Sequence, residues 1–222
     1  MNLVDALAAL SGLCWTVVYV DCLRLGIKQR TYAMPFWALA LNLAWEGVHT
    51  VVGFREEGGS LQVVINAIWL ALDVGILYTL LRYGRTSAAR APGAPPFYAW
   101  VALGLVAAVV LQALFVAEFG LVPGGAYAAF SQNLIMSILF IDMLQRRGSS
   151  AGQSLTIAVA KWLGTLAPTV IFGVVGAPDF GPSRLVLALG ACCSVFDVIY
   201  IVMLWRVRAV ERGRHDERGV PA

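Results

Sequence analysis

The feature that most constrains this 222-residue chain is a succession of seven apolar runs without interior charge clusters, at residues 3–24, 34–54, 61–81, 97–117, 125–145, 155–175 and 184–205. Each is close to the ~20 residues that a helix of ~1.5 Å rise per residue needs to cross a bilayer. Seven such spans leave only short connectors, so the pattern predicts an all-α membrane protein: a seven-transmembrane helix bundle over residues 1–210 and a charged tail over 211–222. Composition agrees, since 13% of the residues are charged where a soluble domain carries about 25%. An ordinary soluble fold is excluded, and no second domain fits.

Charge is informative by position. Arg24, Lys28 and Arg30 follow the first run, Arg82, Arg85 and Arg90 the third, Arg146 and Arg147 the fifth, and Arg206, Arg208, Arg212, Arg214 and Arg218 lie at or beyond the end of the seventh. All fall on one side of the predicted membrane. The other side holds Arg55 and Arg184, and Lys161 lies inside the sixth run. The positive-inside rule then places the N-terminus outside and the C-terminus in the cytoplasm. This distribution gives no sign of a nucleic-acid partner. The leader Met1-Asn2-Leu3-Val4-Asp5 lacks the positive region of a signal peptide, so the first run is expected to stay as an anchor. Fourteen arginines against two lysines hint at a GC-rich genome, and a bacterial cytoplasmic membrane is the expected location.

Gly58-Gly59-Ser60, Ala91-Pro92-Gly93-Ala94-Pro95-Pro96, Gly148-Ser149-Ser150 and Gly176-Ala177-Pro178 read as turns between spans. Cys14, Cys22, Cys192 and Cys193 all lie within spans, without metal-ligand spacing, and read as small packing residues. A faint repeat matches Val20-Asp21-Cys22-Leu23 to Ile141-Asp142-Met143-Leu144. Asp73-Val74 likewise matches Asp197-Val198, each pair followed by an arginine nine residues after the aspartate. Both matches run in the same direction, which suggests parallel three-helix halves joined by span four, a 3+1+3 plan.

Ionisable groups inside a bilayer are costly and mark the place to look for function. Glu46, Asp73 and Asp197 fall deep within their spans, whereas Asp21, Asp142 and Glu118 fall near span ends and read as interfacial. Asn42, Glu46, His49 and Gly53 share one helical face, and Gln62, Asn66, Trp69 and Asp73 another. Span seven offers Cys193, Asp197 and Tyr200, and span five offers Gln132, Asn133 and Ser137. These stripes are expected to converge on one internal cavity. The competing reading of Asn66, Gln112, Gln132 and Ser137 is that they tie helices together by hydrogen bonds. No obvious cation balances the deep acids: Lys161, six residues into its span, could reach only the deeper ones, and His49 is on the same helix as Glu46. An unpaired carboxyl taken out of water disfavours its charged form, and a buried neutral acid is a proton donor. Trp45, Phe36, Trp69, Tyr78, Phe196 and Tyr200 flank the acids, and aromatic faces attract cations. Such a set suits protonating an apolar olefin and shielding the carbocation that follows.

Asn42-Leu43-Ala44-Trp45-Glu46 in span two, Ser131-Gln132-Asn133-Leu134-Ile135-Met136-Ser137 in span five and Phe196-Asp197-Val198-Ile199-Tyr200 in the last span, in that order on seven spans, resemble the integral-membrane terpene cyclases of fungal meroterpenoid and indole-diterpene pathways and their actinobacterial indole-sesquiterpene relatives. The resemblance implies a class II cyclisation, in which an acid protonates a terminal alkene or epoxide of a prenylated substrate, farnesyl with an aromatic or indole head group, and rings close in cascade. It implies Glu46 and Asp197 as the essential acids, without dividing their roles. The predicted cavity adds Asn42, Trp45, His49, Asn66, Trp69, Asp73, Gln132, Asn133, Phe196 and Tyr200 as substrate-binding candidates, with Asp73 a third candidate acid. No Asp-Asp-x-x-Asp, Asp-x-Asp-Asp, phosphate loop or dinucleotide fingerprint is present. No cofactor, metal or protein partner is implied.

The readings that compete with a cyclase are a small proton-coupled transporter with midplane carboxylates, a retinal-type photoreceptor and a purely structural subunit. The transporter lacks matched broken helices, since Pro168 in span six has no counterpart inside span two. The photoreceptor lacks a lysine in span seven, and the cost of buried acids weighs against the structural subunit.

Overall fold

Why the apolar runs become helices follows from lipid: a segment without water partners must satisfy its own backbone groups. The computed structural model describes residues 3–87, 96–177 and 180–217. Among the described residues there are seven α-helices: α1 Leu3–Gln29, α2 Phe36–Glu57, α3 Leu61–Ser87, α4 Phe97–Phe119, α5 Leu121–Arg147, α6 Leu155–Val170 and α7 Arg184–Glu217. Several outrun their apolar runs because polar residues at the membrane surface continue the helix. The seventh does so furthest, and its extension reaches into the expected tail, where Glu211 accepts hydrogen bonds from the backbone N–H and hydroxyl of Ser150. Of the expected turns, residues 91–95 and Pro178 lie outside the described residues, as do Arg90, Arg218 and the last residues of the tail.

Among the described residues, six of the helical segments are long and apolar enough to cross a membrane; α2 is the exception. Its polar stripe of Asn42, Glu46 and His49 lowers its hydropathy. That stripe is buried, and α2 packs against α3, α4 and α5, so its neighbours screen it from lipid. On α4 and α7 the outward residues are apolar, among them Leu103, Val106, Leu114, Val195 and Val202, as a lipid-facing surface requires.

Apart from the contacts of α4 with α2 and α5, the principal helix pairs are α1 with α3, α2 with α3, α5 with α7, α6 with α7, α1 with α6, and α2 with α5. Exchanging α1 with α5, α2 with α6 and α3 with α7 maps this set onto itself. The bundle therefore has the contact pattern that a 3+1+3 plan requires, with α4 as the added helix.

Pro168 lacks the N–H that would continue the α6 ladder. Three residues later the helix widens into a π-helical turn over Ile171–Val175, closed by the Gly176 N–H on the Ile171 carbonyl at 2.7 Å. Such turns are frequent at functional sites. The half of the bundle at the basic end is filled by a core of Val18, Tyr19, Met34, Leu39, Ile76, Phe140, Tyr200 and Leu204, among others. At that end Asp21 pairs with Arg24 and Asp142 with Arg146, as their interfacial positions suggested. The opposite half is hollow. Cys14, Cys22, Cys192 and Cys193 are free thiols.

Candidate active site

The hollow is a cavity of about 430 Å3, within the ~300–1,000 Å3 usual for small-molecule sites. Five helices frame it. From α1 it takes Val4, Ala8, Trp15 and Tyr19; from α2 Asn42, Trp45, Glu46 and His49; from α3 Asn66 and Trp69; from α5 Gln132, Asn133 and Met136; and from α6 Thr165 and Pro168. Along α1 the lining runs from Val4 to Tyr19, about 22 Å at the helical rise. Beyond Tyr19, Asn42 and Met136 toward the basic end, the packed core takes over. The cavity is therefore blind at mid-bundle, and its acid, Glu46, sits one helical turn from Asn42 at the closed end.

Glu46 is 1% exposed. Tyr19 donates its hydroxyl hydrogen to Glu46 Oε1 at 2.8 Å, while Oε2 has no hydrogen-bond partner among the described residues. Asn42 uses both hydrogens of its amide, one to the Tyr19 oxygen at 2.7 Å and one to Asp73 Oδ2 at 2.8 Å. Gln132 donates to Asn42 Oδ1 at 3.4 Å and accepts from Gln112 at 2.7 Å. One continuous network thus runs from Gln112 on α4 to Glu46 and Asp73, which fixes the Asn42 rotamer and, through it, Tyr19.

Aromatic rings form much of the wall. Tyr19 lies 5.9 Å from Trp15 and 5.8 Å from Trp69, centroid to centroid. The Trp69 indole N–H is held by Thr16 Oγ1 at 3.0 Å. Trp45 donates to the Gly125 carbonyl at 3.0 Å, and the His49 ring stacks on it at 4.2 Å, with Nδ1 2.9 Å from the Trp45 carbonyl. Gly125 makes this approach feasible, since a Cβ there would fall 2.7 Å from His49 Nε2.

The structure brings together Asn42, Trp45, Glu46, His49, Asn66, Trp69, Gln132 and Asn133, as the sequence suggested. It leaves Asp73, Asp197, Phe196 and Tyr200 outside the lining. Asp73 lies below Trp69, bound to Asn42 and fully buried. The expectation that span seven joins the cavity is not met, because α7 contributes no lining residue among those described. Tyr200 packs on Phe140 in the basic-end core and donates to Gln153 at 3.0 Å. Asp197 turns toward α6, where Lys161 Nζ meets its two oxygens at 2.8 and 3.1 Å. The deep acids are therefore not all without a cation, as they seemed from sequence: Asp197 has Lys161. Sequence reasoning missed Tyr19, Trp15 and Thr165. The i, i+4 spacing of Trp15 and Tyr19 was the available signal.

A family model of Pyr4-like transmembrane terpene cyclases matches residues 1–210. The chain belongs to this family. Among similar proteins, the Pyr4-family terpene cyclase mfmH of Annulohypoxylon moriforme is 30% identical over 170 residues, covering 76% of this chain and 69% of that protein. Terpene cyclase macJ of Penicillium terrestre is 31% identical over 174 residues, 76% of this chain and 66% of that one. Terpene cyclase pyr4 of Aspergillus fumigatus is 27% identical over 206 residues, 90% and 85% respectively. This Pyr4-like chain is a membrane terpene cyclase, and the transporter reading has no support among its relatives. It is a multi-pass membrane protein. Since these relatives are fungal, they do not support the bacterial membrane expected from composition. A Pyr4-like cyclase with an apolar cavity inside its bundle suits a lipophilic substrate met in the membrane.

Proposed function

We propose that the protein cyclises a prenylated substrate, farnesyl-bearing with an aromatic or indole head group, by protonating its terminal alkene or epoxide. The observation that carries this reading is the placement of Glu46 at the closed end of an aromatic-lined apolar cavity. A prenyl chain entering such a cavity presents its terminal isoprene unit to the acid and leaves its head group toward the mouth. Glu46 Oε2, without a hydrogen-bond partner among the described residues, is the oxygen available to carry the proton. Its transfer to the terminal alkene carbon, or to the epoxide oxygen, leaves a tertiary cation beside it. The inner alkenes then attack in turn, and loss of a proton from the last cation ends the cascade with the mass unchanged. Tyr19, donating to Oε1, steadies the carboxylate that Glu46 becomes. Trp15, Trp45 and Trp69 line the cavity and supply aromatic surface to the migrating charge, and the packed core excludes water from the closed end.

In the membrane we place the N-terminus outside, so that the cavity occupies the outer half of the bundle. Asp197 remains the second acid that the family resemblance implies; it stands behind the cavity wall.

The test is mass spectrometry of membranes containing the protein, incubated with farnesylated and geranylgeranylated aromatic compounds with and without the terminal epoxide. A product of unchanged mass and new retention time, absent with Glu46→Gln, supports the reading. Conversion that persists in Glu46→Gln removes the acid mechanism.

A further inference from the structure

One hydrogen-bond arrangement is built twice in this bundle. In the first half, Asn42 of α2 bridges the Tyr19 hydroxyl of α1 and the Asp73 carboxyl of α3, at 2.7 and 2.8 Å. In the second half, Lys161 of α6 bridges the Ser137 hydroxyl of α5 at 2.7 Å and the Asp197 carboxyl of α7 at 2.8 Å. The helix exchange that maps the bundle contacts onto themselves carries one triad onto the other. Each has a bridging side chain on the middle helix, a hydroxyl on the first and a carboxyl on the third.

The two triads differ in charge. The Asn42 amide is neutral and leads through Tyr19 to Glu46 at the cavity. The Lys161 ammonium carries a full positive charge, and its three N–H groups are matched by Ser137 Oγ and the two oxygens of Asp197. Both side chains of the pair are 1% exposed. Lys161, Ser137 and Asp197 do not line the cavity, whereas Asn133 and Thr165, one helical turn away on α5 and α6, do. Asn133, whose side chain donates to Thr165 Oγ1 at 2.7 Å, lines the cavity with Thr165. Behind them, Ser137 Oγ donates to the Asn133 carbonyl and Thr165 Oγ1 to the Lys161 carbonyl, both at 2.9 Å. Lys161 on Ser137 joins α6 to α5 one turn from where Asn133 on Thr165 joins the same two helices at the cavity, and Asp197 adds α7.

We propose that Lys161 is a positioning residue for the cyclisation: it holds Asp197 as a fixed carboxylate, the pair sets the Asn133–Thr165 wall, and proton donation is left to Glu46 alone. This rests on the cyclase reading and divides its two acids into one that moves a proton and one that does not. Removing either partner strands the other charge in an apolar interior, so Asp197→Asn is expected to lose activity for a reason unrelated to proton transfer. Removing both charges together, while keeping side chains that still hydrogen-bond, restores the wall.

The experiment compares wild type, Asp197→Asn, Lys161→Gln and the double variant K161Q/D197N, with Glu46→Gln as control, for turnover of the prenylated panel and for melting temperature in detergent. Each single variant is expected to lose both activity and thermal stability. The double variant is expected to recover stability and return to within about tenfold of wild-type turnover, as a coupled pair does, while Glu46→Gln stays inactive. A double variant that melts like wild type and remains inactive overturns the proposal and makes Asp197 a proton-handling group.

A second readout needs neither substrate nor disruption of the pair. In E46Q/D73N, which keeps Lys161 and Asp197, the infrared carbonyl stretch of a neutral carboxyl buried in the bundle is expected to be absent. Its persistence there overturns the proposal even if no substrate in the panel is turned over, an outcome that would count separately against the cyclase substrate reading.

Discussion

At the scale of single residues, the site rests on Tyr19, whose oxygen joins the Asn42 amide to Glu46. Tyr19→Phe removes a hydrogen bond to the acid while leaving the ring in place. It is expected to lower turnover by about 10- to 100-fold, the usual worth of a bond to a charged group, with little change in affinity for a substrate that the ring still contacts. Steady-state kinetics on the converted substrate check this split. Glu118→Gln, at an exposed position near the end of α4, is expected to stay within about threefold of wild type, as ordinary surface changes do. A loss as deep as that of Glu46→Gln would undo the ranking of the acids by depth. Glu46, Asn42 and His49 were legible because polar residues on one face of a membrane helix have nowhere favourable to point but inward. Tyr19 was missed, since a tyrosine among apolar residues lacks that polar mark and only its i, i+4 spacing from Trp15 pointed to it. The ion pair was missed too: depth showed that Lys161 could reach the deeper acids, but its choice of Asp197 depends on how α6 and α7 are rotated. The same rotation carries Tyr200 into the packed core, away from the cavity where its spacing from Asp197 had suggested it.

At the scale of elements, all seven helices were readable from the apolar runs, six of them apolar enough to cross a membrane and α2 interrupted by its polar stripe; the helix ends were less so, because charged turns continue a helix beyond its apolar run. Close helix approaches were also hidden, being properties of pairs. Gly124 on α5 lies against α4, where a Cβ would fall 2.4 Å from the Phe115 carbonyl oxygen. That neighbour is backbone and yields only if α4 moves. Gly124→Ala is expected to destabilise the protein by about 1–3 kcal/mol, the usual cost of overpacking, seen as a lower melting temperature in detergent. Gly125→Ala should act differently, since its Cβ meets the His49 ring. Displacing that ring from Trp45 narrows the cavity, so the expected effect is a rise in KM and an altered product ratio, read by chromatography of the same incubations.

At the scale of the whole molecule, the asymmetry of charge and the asymmetry of packing coincide: the basic end is solid and the opposite end is hollow. With the N-terminus outside, a membrane-impermeant thiol reagent applied to intact cells should label Gly59→Cys, in the α2–α3 connector, above the level of the unaltered chain. Gly213→Cys, near the end of α7, should label only after lysis. The reverse pattern would invert the orientation and put the mouth of the cavity on the cytoplasmic face. The blind end has a further effect on the order of events. On the proposed reading a flexible prenyl tail threads in tip first, and the folded polycycle backs out away from the packed end. The depth beyond the mouth then works as a ruler for the tail, while a group left at the opening is not measured at all. An enzyme built this way should be strict about prenyl length, lenient about the head group, and slowed most by products that have become too rigid to leave.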